Sequence, residues 1–407
     1  MELNKTLSSY CSLALSLSTG IAYFAMSGLE TIFYIYVLFL SIYINEKYEM
    51  KPTKKLLSAL YLSLLIAALL RPEGVLFICI ATLYHLIRKL KYKIGINFIE
   101  MIKIQISVFL TYGLFILFRY CYYGEILPNT YYAKPGGTFA EYEYNAFISN
   151  FIKSFFSGSF LLLALLFFLF IKDLRKKYAL PLSICTGQII FMSYTGDWMA
   201  FGRFFLPILP IVILLFFILF QYITQRKIKK MRKLFPIFFI ILYAGLNIHQ
   251  TQKALINKDS NPYSIMNSTQ LKKIGILLHN NFHDKTTIAL KRQGAIPYYS
   301  EMKSIDILGL TEEEIAKIIY SEKDIIKKNR LIVSYTLKRK PDIILIFPNM
   351  NIEEGWIYNK YNPHYKFHYN EYLLFKNSVQ KEYKIVFSFP FGSDERVIFL
   401  LHKNNLF

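Results

Sequence analysis

An arginine and a glutamate flank a proline at Arg71-Pro72-Glu73-Gly74, between two apolar runs. Ionisable groups beside hydrocarbon are costly, so they either pair with one another or serve a ligand. Both side chains could face a shared cavity, or the four residues could form a helix-breaking turn whose charges snorkel or pair. Gly196-Asp197-Trp198 makes a second candidate set with Arg203 close behind it, and Glu30 in Ser27-Gly28-Leu29-Glu30 adds another carboxylate. A carboxylate at Asp197 could take a proton or hold a divalent cation, and an arginine could fork onto a phosphate. An interfacial ion pair with Trp198 as a membrane anchor is the competing reading. The densest mixture is YYGEILPNTYYAK, residues 122–134. Asn129 and Thr130 offer hydrogen bonds, and Lys134 is a point charge suited to phosphate. Tyr122, Tyr123, Tyr131 and Tyr132 could stack on a sugar or lie against a lipid chain. An interfacial aromatic belt would account for the tyrosines, but not for the Pro-Asn-Thr run or for Lys134.

Other chemistries have less support. His364 and His368 stand in NPHYKFHY, which has no firm helical pattern, and two histidines do not make a metal site. Gly294 in QGAIPYYS reads as a turn rather than a phosphate cradle, and no Gly-rich nucleotide loop occurs. No G-x-S-x-G elbow supports serine hydrolysis. The four cysteines, at 11, 79, 121 and 185, lie in or beside apolar runs and have neither disulfide-framework nor zinc spacing.

The elements that must position these groups lie largely in a membrane. With 54% hydrophobic residues, 36 Phe and 32 Tyr in 407 residues, the chain is too apolar for an ordinary soluble domain. The net charge of +21 comes from clusters between the apolar runs, where membrane topology puts them, and not from a nucleic-acid-binding face. About nine apolar segments can be drawn, at residues 8–25, 29–44, 56–70, 74–88, 100–119, 153–171, 179–194, 204–222 and 234–249, several of them shorter than the ~20 residues of a perpendicular span. The first reads as a retained helix and not as a cleaved signal. KYEMKPTKK, RKLKYK, KDLRKK and QRKIKKMRK should be cytoplasmic, which sends the candidate groups and the C-terminal region to the opposite face. The expected architecture is a polytopic helical membrane domain over 1–249 with external loops, followed by an external α/β domain over 250–407. The latter carries strand-like runs at 286–290, 302–308, 341–347, 383–389 and 396–401, and an acid-started helix in TEEEIAKIIY.

The ordered set SGLET (27–31), RPEG (71–74), YYGEILPNTYYAK (122–134), GDWMAFGRFFLPILP (196–210), QGAIPYYS…IDILGL (293–310) and KPDIIL (340–345) resembles a known family. It is similar to the multi-pass GT-C-type glycosyltransferases related to the mycobacterial terminal β-1,2-arabinofuranosyltransferase and to LphB-like membrane proteins, over nearly the whole chain. The resemblance implies an enzyme of the bacterial inner membrane that moves a sugar from a polyprenyl-phosphate donor to an envelope glycan acceptor on the outer side. The donor phosphate would then rest on Lys134, Arg71 or Arg203, and the sugar or lipid on Tyr122, Tyr123, Asn129, Thr130, Tyr131 and Trp198. A lipid-linked donor requires no nucleotide loop. No cofactor is otherwise implied, and a divalent cation would fall to Asp197.

The chain departs from that family in one respect. Such enzymes carry an acidic residue in a first external loop ahead of the SGLET element, and here no aspartate precedes Asp173. Inverting transfer needs a carboxylate near the acceptor hydroxyl. Asp197, Glu73 or Glu30 must replace it, or the chain reads as an N-terminally truncated, non-catalytic relative. A lipid-linked sugar transporter is the third class. It would call for paired ionisable groups at the bilayer midplane and for internal repeats, whereas the charges here gather at one face and no repeat is visible.

Overall fold

The computed structural model describes residues 3–133, 162–195, 201–227, 231–256, 265–283, 285–347, 374, 382–391 and 395–403. The chain divides into two compact units, Met1–Ile126 with Glu143–Lys253 and Leu127–Tyr142 with Ala254–Phe407.

The described part of the first unit is helical. Its helices are α1 (Lys5–Ser16), α2 (Thr19–Ala25), α3 (Thr31–Met50), α4 (Lys54–Leu70), α5 (Gly74–Tyr92) and α6 (Phe98–Tyr123). After α7, which belongs to the second unit, come α8 (Leu162–Phe170), α9 (Lys172–Lys177), α10 (Ala179–Thr195), α11 (Leu209–Lys227) and α12 (Met231–Ile256). The boundaries follow local chemistry. Asn4, Ser18, Thr53 and Asn97 each accept a backbone N–H at the start of a helix, and Gly124 ends α6 at φ 75°. Where α4 meets α5, a Cβ on Gly74 would lie 2.5 Å from backbone atoms of Ala67 and Ala68, so only glycine allows that approach.

Among the described residues, three helices are long and apolar enough to cross a membrane, Phe98–Tyr123, Leu206–Thr224 and Leu234–Gln252, and Ala179–Met192 is apolar but shorter. This is fewer than the nine segments drawn from hydropathy, for identifiable reasons. Residues 8–25 make two short helices because Ser18 interrupts the run and caps α2. Helix α4 ends after 17 residues. The apolar stretches of α3 and α5 end in polar turns carrying Asn45, Glu46 and Lys47, or Arg88, Lys89 and Lys91. Of the run at 153–171, the part before 162 lies outside the described residues. Ile106, Leu110, Leu114, Leu117 and Phe118 on α6 are all exposed, an apolar face of the kind that hydrocarbon covers.

The second unit holds α7 (Asn129–Ala133), α13 (Ile265–Asn281), β1 (Thr287–Leu290), α14 (Ala295–Ser300), β2 (Lys303–Asp306), α15 (Glu313–Ser321), α16 (Ile325–Lys338), β3 (Ile343–Ile346), β4 (Tyr383–Phe391) and β5 (Glu395–His402). The five strand-like runs of the sequence are the five strands of one sheet, in the order β2-β1-β3-β5-β4. β1 pairs in parallel with β2 and β3, whereas β5 is antiparallel to both β3 and β4. Strand β3 reads IILI and is buried at every position, as a central strand covered on both faces should be. Ile274, Leu278, Ile288 and Phe399 pack on one face, and Ile305, Ile315, Ile332 and Leu400 on the other.

Candidate functional site

Glu30 and Glu73 immediately precede α3 and α5, where a side chain ordinarily caps the helix, yet neither caps. Their carboxylates are engaged by arginines instead. Arg71, the last residue of the α4 boundary, places Nε 2.6 Å from Glu73 Oε1 and 3.9 Å from Glu30 Oε1. Arg203 donates from Nη2 to Glu30 Oε1 at 2.7 Å and from Nε to Thr31 Oγ1 at 3.1 Å. Two helix N-termini favour the two negative charges, so the dipoles and the guanidinium groups act in the same direction. Arg71 is further held between two rings, 5.3 Å from the centroid of Tyr34 and 5.0 Å from that of Phe204.

The cluster is graded in exposure. The Arg71 and Glu73 side chains are 5% and 3% exposed, Arg203 17% and Glu30 33%, so solvent reaches it through Glu30 and Arg203. Tyr34 Oη, Arg71 Nη1 and Glu73 Oε1 are buried without a hydrogen-bond partner among the described residues, and the close Arg71–Glu73 contact is therefore ionic without the angle of a hydrogen bond.

The loop that delivers Arg203 is tightly shaped. Phe201 and Gly202 both have positive φ, 60° and 65°. That conformation is strained for a phenylalanine, and strain of this kind collects at functional positions. Phe205 and Leu206 donate their N–H groups to Gly202 O, and Gln188 Nε2 donates to Phe204 O at 2.7 Å. The Phe201 ring rests 4.9 Å from that of Tyr23. Thr31 lies in SGLET and Phe201 and Phe204 in GDWMAFGRFFLPILP, but nothing in either element marks them as site residues, and Tyr34 and Gln188 lie outside both. The φ at Phe201 has no sequence signature.

Four predicted site residues thus meet in one place: Glu30, Arg71, Glu73 and Arg203. Tyr122 and Tyr123 end α6 in the same unit, both exposed, with ring centroids 4.6 Å apart. Asn129, Thr130 and Tyr131 lie on α7 in the second unit, where Tyr131 and Tyr132 pack on Tyr320 of α15 at 6.3 and 5.3 Å. Lys134, Asp197, Trp198, His364 and His368 lie outside the described residues.

The first unit also holds a buried polar chain that the sequence did not suggest. Gln105 Nε2 donates to Tyr61 Oη at 2.8 Å, Tyr61 Oη contacts His85 Nδ1 at 3.3 Å, and His85 Nε2 contacts Asn45 Oδ1 at 3.2 Å. It links α3, α4, α5 and α6 and fixes their register. In the second unit, Asp306 of the IDILGL element accepts from the N–H groups of Leu308 and Thr311 and from Thr311 Oγ1. Gly309 follows at φ 73°, with Ala316 N 2.8 Å from where its Cβ would be. That element is a built turn, and its carboxylate is occupied by its own loop.

A family model described as a domain of unknown function (DUF8728) matches residues 262–399, most of the second unit. No curated protein and no solved structure matches the chain.

Proposed function

We propose that the chain is a membrane-embedded glycosyltransferase that uses a polyprenyl-phosphate sugar, with the Glu30–Arg203 edge of the ion cluster as its reacting centre. The observation that carries this reading is the convergence of Glu30, Arg71, Glu73 and Arg203 from three separate sequence elements, all of them in the set that resembles GT-C-type transferases. The charge pattern along the helices supports it. Lysines and arginines gather at the C-terminal end of α5, whereas Glu30, Arg71 and Glu73 stand at the other ends of α3, α4 and α5. The positive-inside rule, applied to the lysine and arginine clusters of the sequence, predicts that the cluster faces the outer side of the bacterial inner membrane.

In this mechanism the acceptor hydroxyl of an envelope glycan attacks the anomeric carbon, and the bond from that carbon to the phosphate oxygen breaks. Polyprenyl phosphate leaves with the electron pair. Glu30, the most accessible carboxylate of the cluster, takes the hydroxyl proton. Arg203 stabilises the charge that develops on the leaving phosphate. Arg71 and Glu73 are too buried to reach substrate and hold Glu30 in position.

The test is transfer from radiolabelled polyprenyl-phosphate sugars to envelope glycan extract by the purified chain, beside Glu30→Gln and Arg203→Ala. Transfer by the wild type that drops at least ~100-fold in both variants is the expected result, matching the contribution of a positioned base. Transfer that survives Glu30→Gln would remove Glu30 as the base. Donor binding without transfer by the wild type would favour the non-catalytic relative, for which the mutual neutralisation of two arginines and two glutamates is the supporting observation.

A further inference from the structure

Helix α13 has two sides of different character. Ile274 and Leu278 are buried against one face of the sheet, together with Ile296 of α14. On the other side of the same helix Lys272, Lys273, Ile276 and Leu277 are all exposed. A helix packed on one side alone ordinarily carries polar residues on the other. Here two aliphatic side chains stand one turn beyond two lysines, at i and i+4 in both cases.

Helix α14 extends this surface. It lies so close to α13 that a Cβ on Gly275 would stand 2.7 Å from Tyr299 Cβ and 2.9 Å from Ile296 O. The approach brings Lys272 Nζ to 4.9 Å from the Tyr299 ring centroid. Tyr298, 75% exposed, meets the Tyr299 ring edge-on at 5.0 Å. Two tyrosines, two lysines and two aliphatic side chains thus form one continuous patch. Apolar side chains exposed singly need no explanation, but a contiguous group rimmed by polar residues marks a contact surface.

The charge of the patch is of one sign. Neither α13 nor α14 contains an acid, and Lys272 and Lys273 meet no carboxylate among the described residues. This mixture suits the boundary of a bilayer, where aliphatic tips enter the acyl region, tyrosines sit at headgroup level and ammonium groups reach anionic phosphates. A bilayer is also within reach. Leu234–Gln252 is long and apolar enough to cross a membrane, its helix ends at Ile256, and α13 begins at Ile265. The residues between, 257–264, can span at most about 30 Å. We propose that the α13–α14 face docks on a bilayer surface that contains anionic lipid, with Lys272 and Lys273 at the phosphates and Ile276, Leu277 and Tyr298 in the interface. Docking of this kind is independent of the transferase reading, since it concerns a different unit and requires only a bilayer.

The experiment uses the full-length chain reconstituted into vesicles of phosphatidylcholine, alone or mixed with phosphatidylglycerol. The photo-crosslinking residue benzoylphenylalanine replaces Tyr298 in one protein and Leu277 in a second. In a control it replaces Ile326, an exposed residue of α16, whose Ile332 packs on the other face of the sheet. Mass spectrometry after illumination counts lipid adducts. They should form at 298 and 277 well above the level at 326, rise with phosphatidylglycerol and fall with added salt. Lys272→Gln together with Lys273→Gln should lower them several-fold, because each lysine near an anionic surface changes the docked-to-free ratio roughly five-fold. Equal lipid adducts at 298, 277 and 326, adducts indifferent to phosphatidylglycerol and to the two lysines, or adducts at 298 and 277 to a second copy of the chain in place of lipid would overturn the proposal. So would the absence of adducts at both positions.

Discussion

Replacing Glu73 by glutamine should be among the most destabilising single changes in the helical unit. The Arg71 and Glu73 side chains are 5% and 3% exposed and 2.6 Å apart, so neither charge has water to fall back on. At an effective dielectric constant of about 20, a pair at that distance attracts by about 6 kcal/mol, most of it offset by the loss of hydration. Removing one partner loses the attraction but leaves the other charge buried, with Glu30 at 3.9 Å as its nearest remaining counter-charge among the described residues, and breaking such a pair typically costs roughly 3–5 kcal/mol. Replacing both, as Arg71→Met with Glu73→Leu, removes the desolvation penalty together with the attraction. The double variant should therefore be more stable than Glu73→Gln alone. Equilibrium unfolding of the detergent-solubilised chain, followed by circular dichroism, measures all three proteins. A Glu73→Gln cost below about 1 kcal/mol, the level of an exposed pair, would mean that water reaches Arg71. A double variant no better than the single would mean that shape and not charge sets the cost. If the double variant folds but fails in the transfer assay, the buried pair matters to the site beyond holding it together.

Other outcomes follow from the same structure. Gly74→Ala should destabilise the α4–α5 contact by about 1–3 kcal/mol, because the new methyl meets backbone atoms that no side-chain rotation can clear; unfolding measurements check this. If the resemblance to GT-C-type transferases holds, Lys134→Ala should raise the KM for the lipid-phosphate donor with little change in kcat, and an unchanged donor dependence would remove that lysine from the donor's contacts. Burial raises the Asp306 carboxyl above its ordinary value of 3.8, against the hydrogen bonds that lower it. Between 3.8 and that raised value the folded state binds more protons than the unfolded chain, so this group's contribution to stability falls as pH rises through the window. Asp306→Ala should flatten that slope and cost about 1–3 kcal/mol by orphaning the Leu308 and Thr311 donors, both seen in thermal unfolding as a function of pH.

The sheet was legible in the sequence because each strand is a short local apolar run with turn residues around it. The chemistry of the ion cluster was legible one residue at a time, since arginines and glutamates beside apolar runs are few. Its pairing was not, because Arg203 reaches Glu30 and Thr31 only after the helices between them fold. Hydropathy overcounted the spans because a sliding average sees neither the cap formed by Ser18 nor the polar last turns of α3 and α5. The buried chain through His85 left no trace, since Asn45, Tyr61, His85 and Gln105 share no spacing and come from four different helices. The place of α7 was hidden for a similar reason. It directly follows α6 in the chain, but the ring against which its tyrosines pack arrives with Tyr320.

That placement governs how the protein can be cut. A fragment beginning at residue 254 would contain all five strands of the sheet and all of the residues matched by the family model, and by sequence it looks self-sufficient. It would lack α7, and the half-exposed ring of Tyr320 would lose Tyr131 and Tyr132. Such a fragment carries a freshly opened aromatic face and should self-associate as its concentration rises. Grafting residues 127–133 back through a short Gly/Ser linker should restore a monodisperse protein.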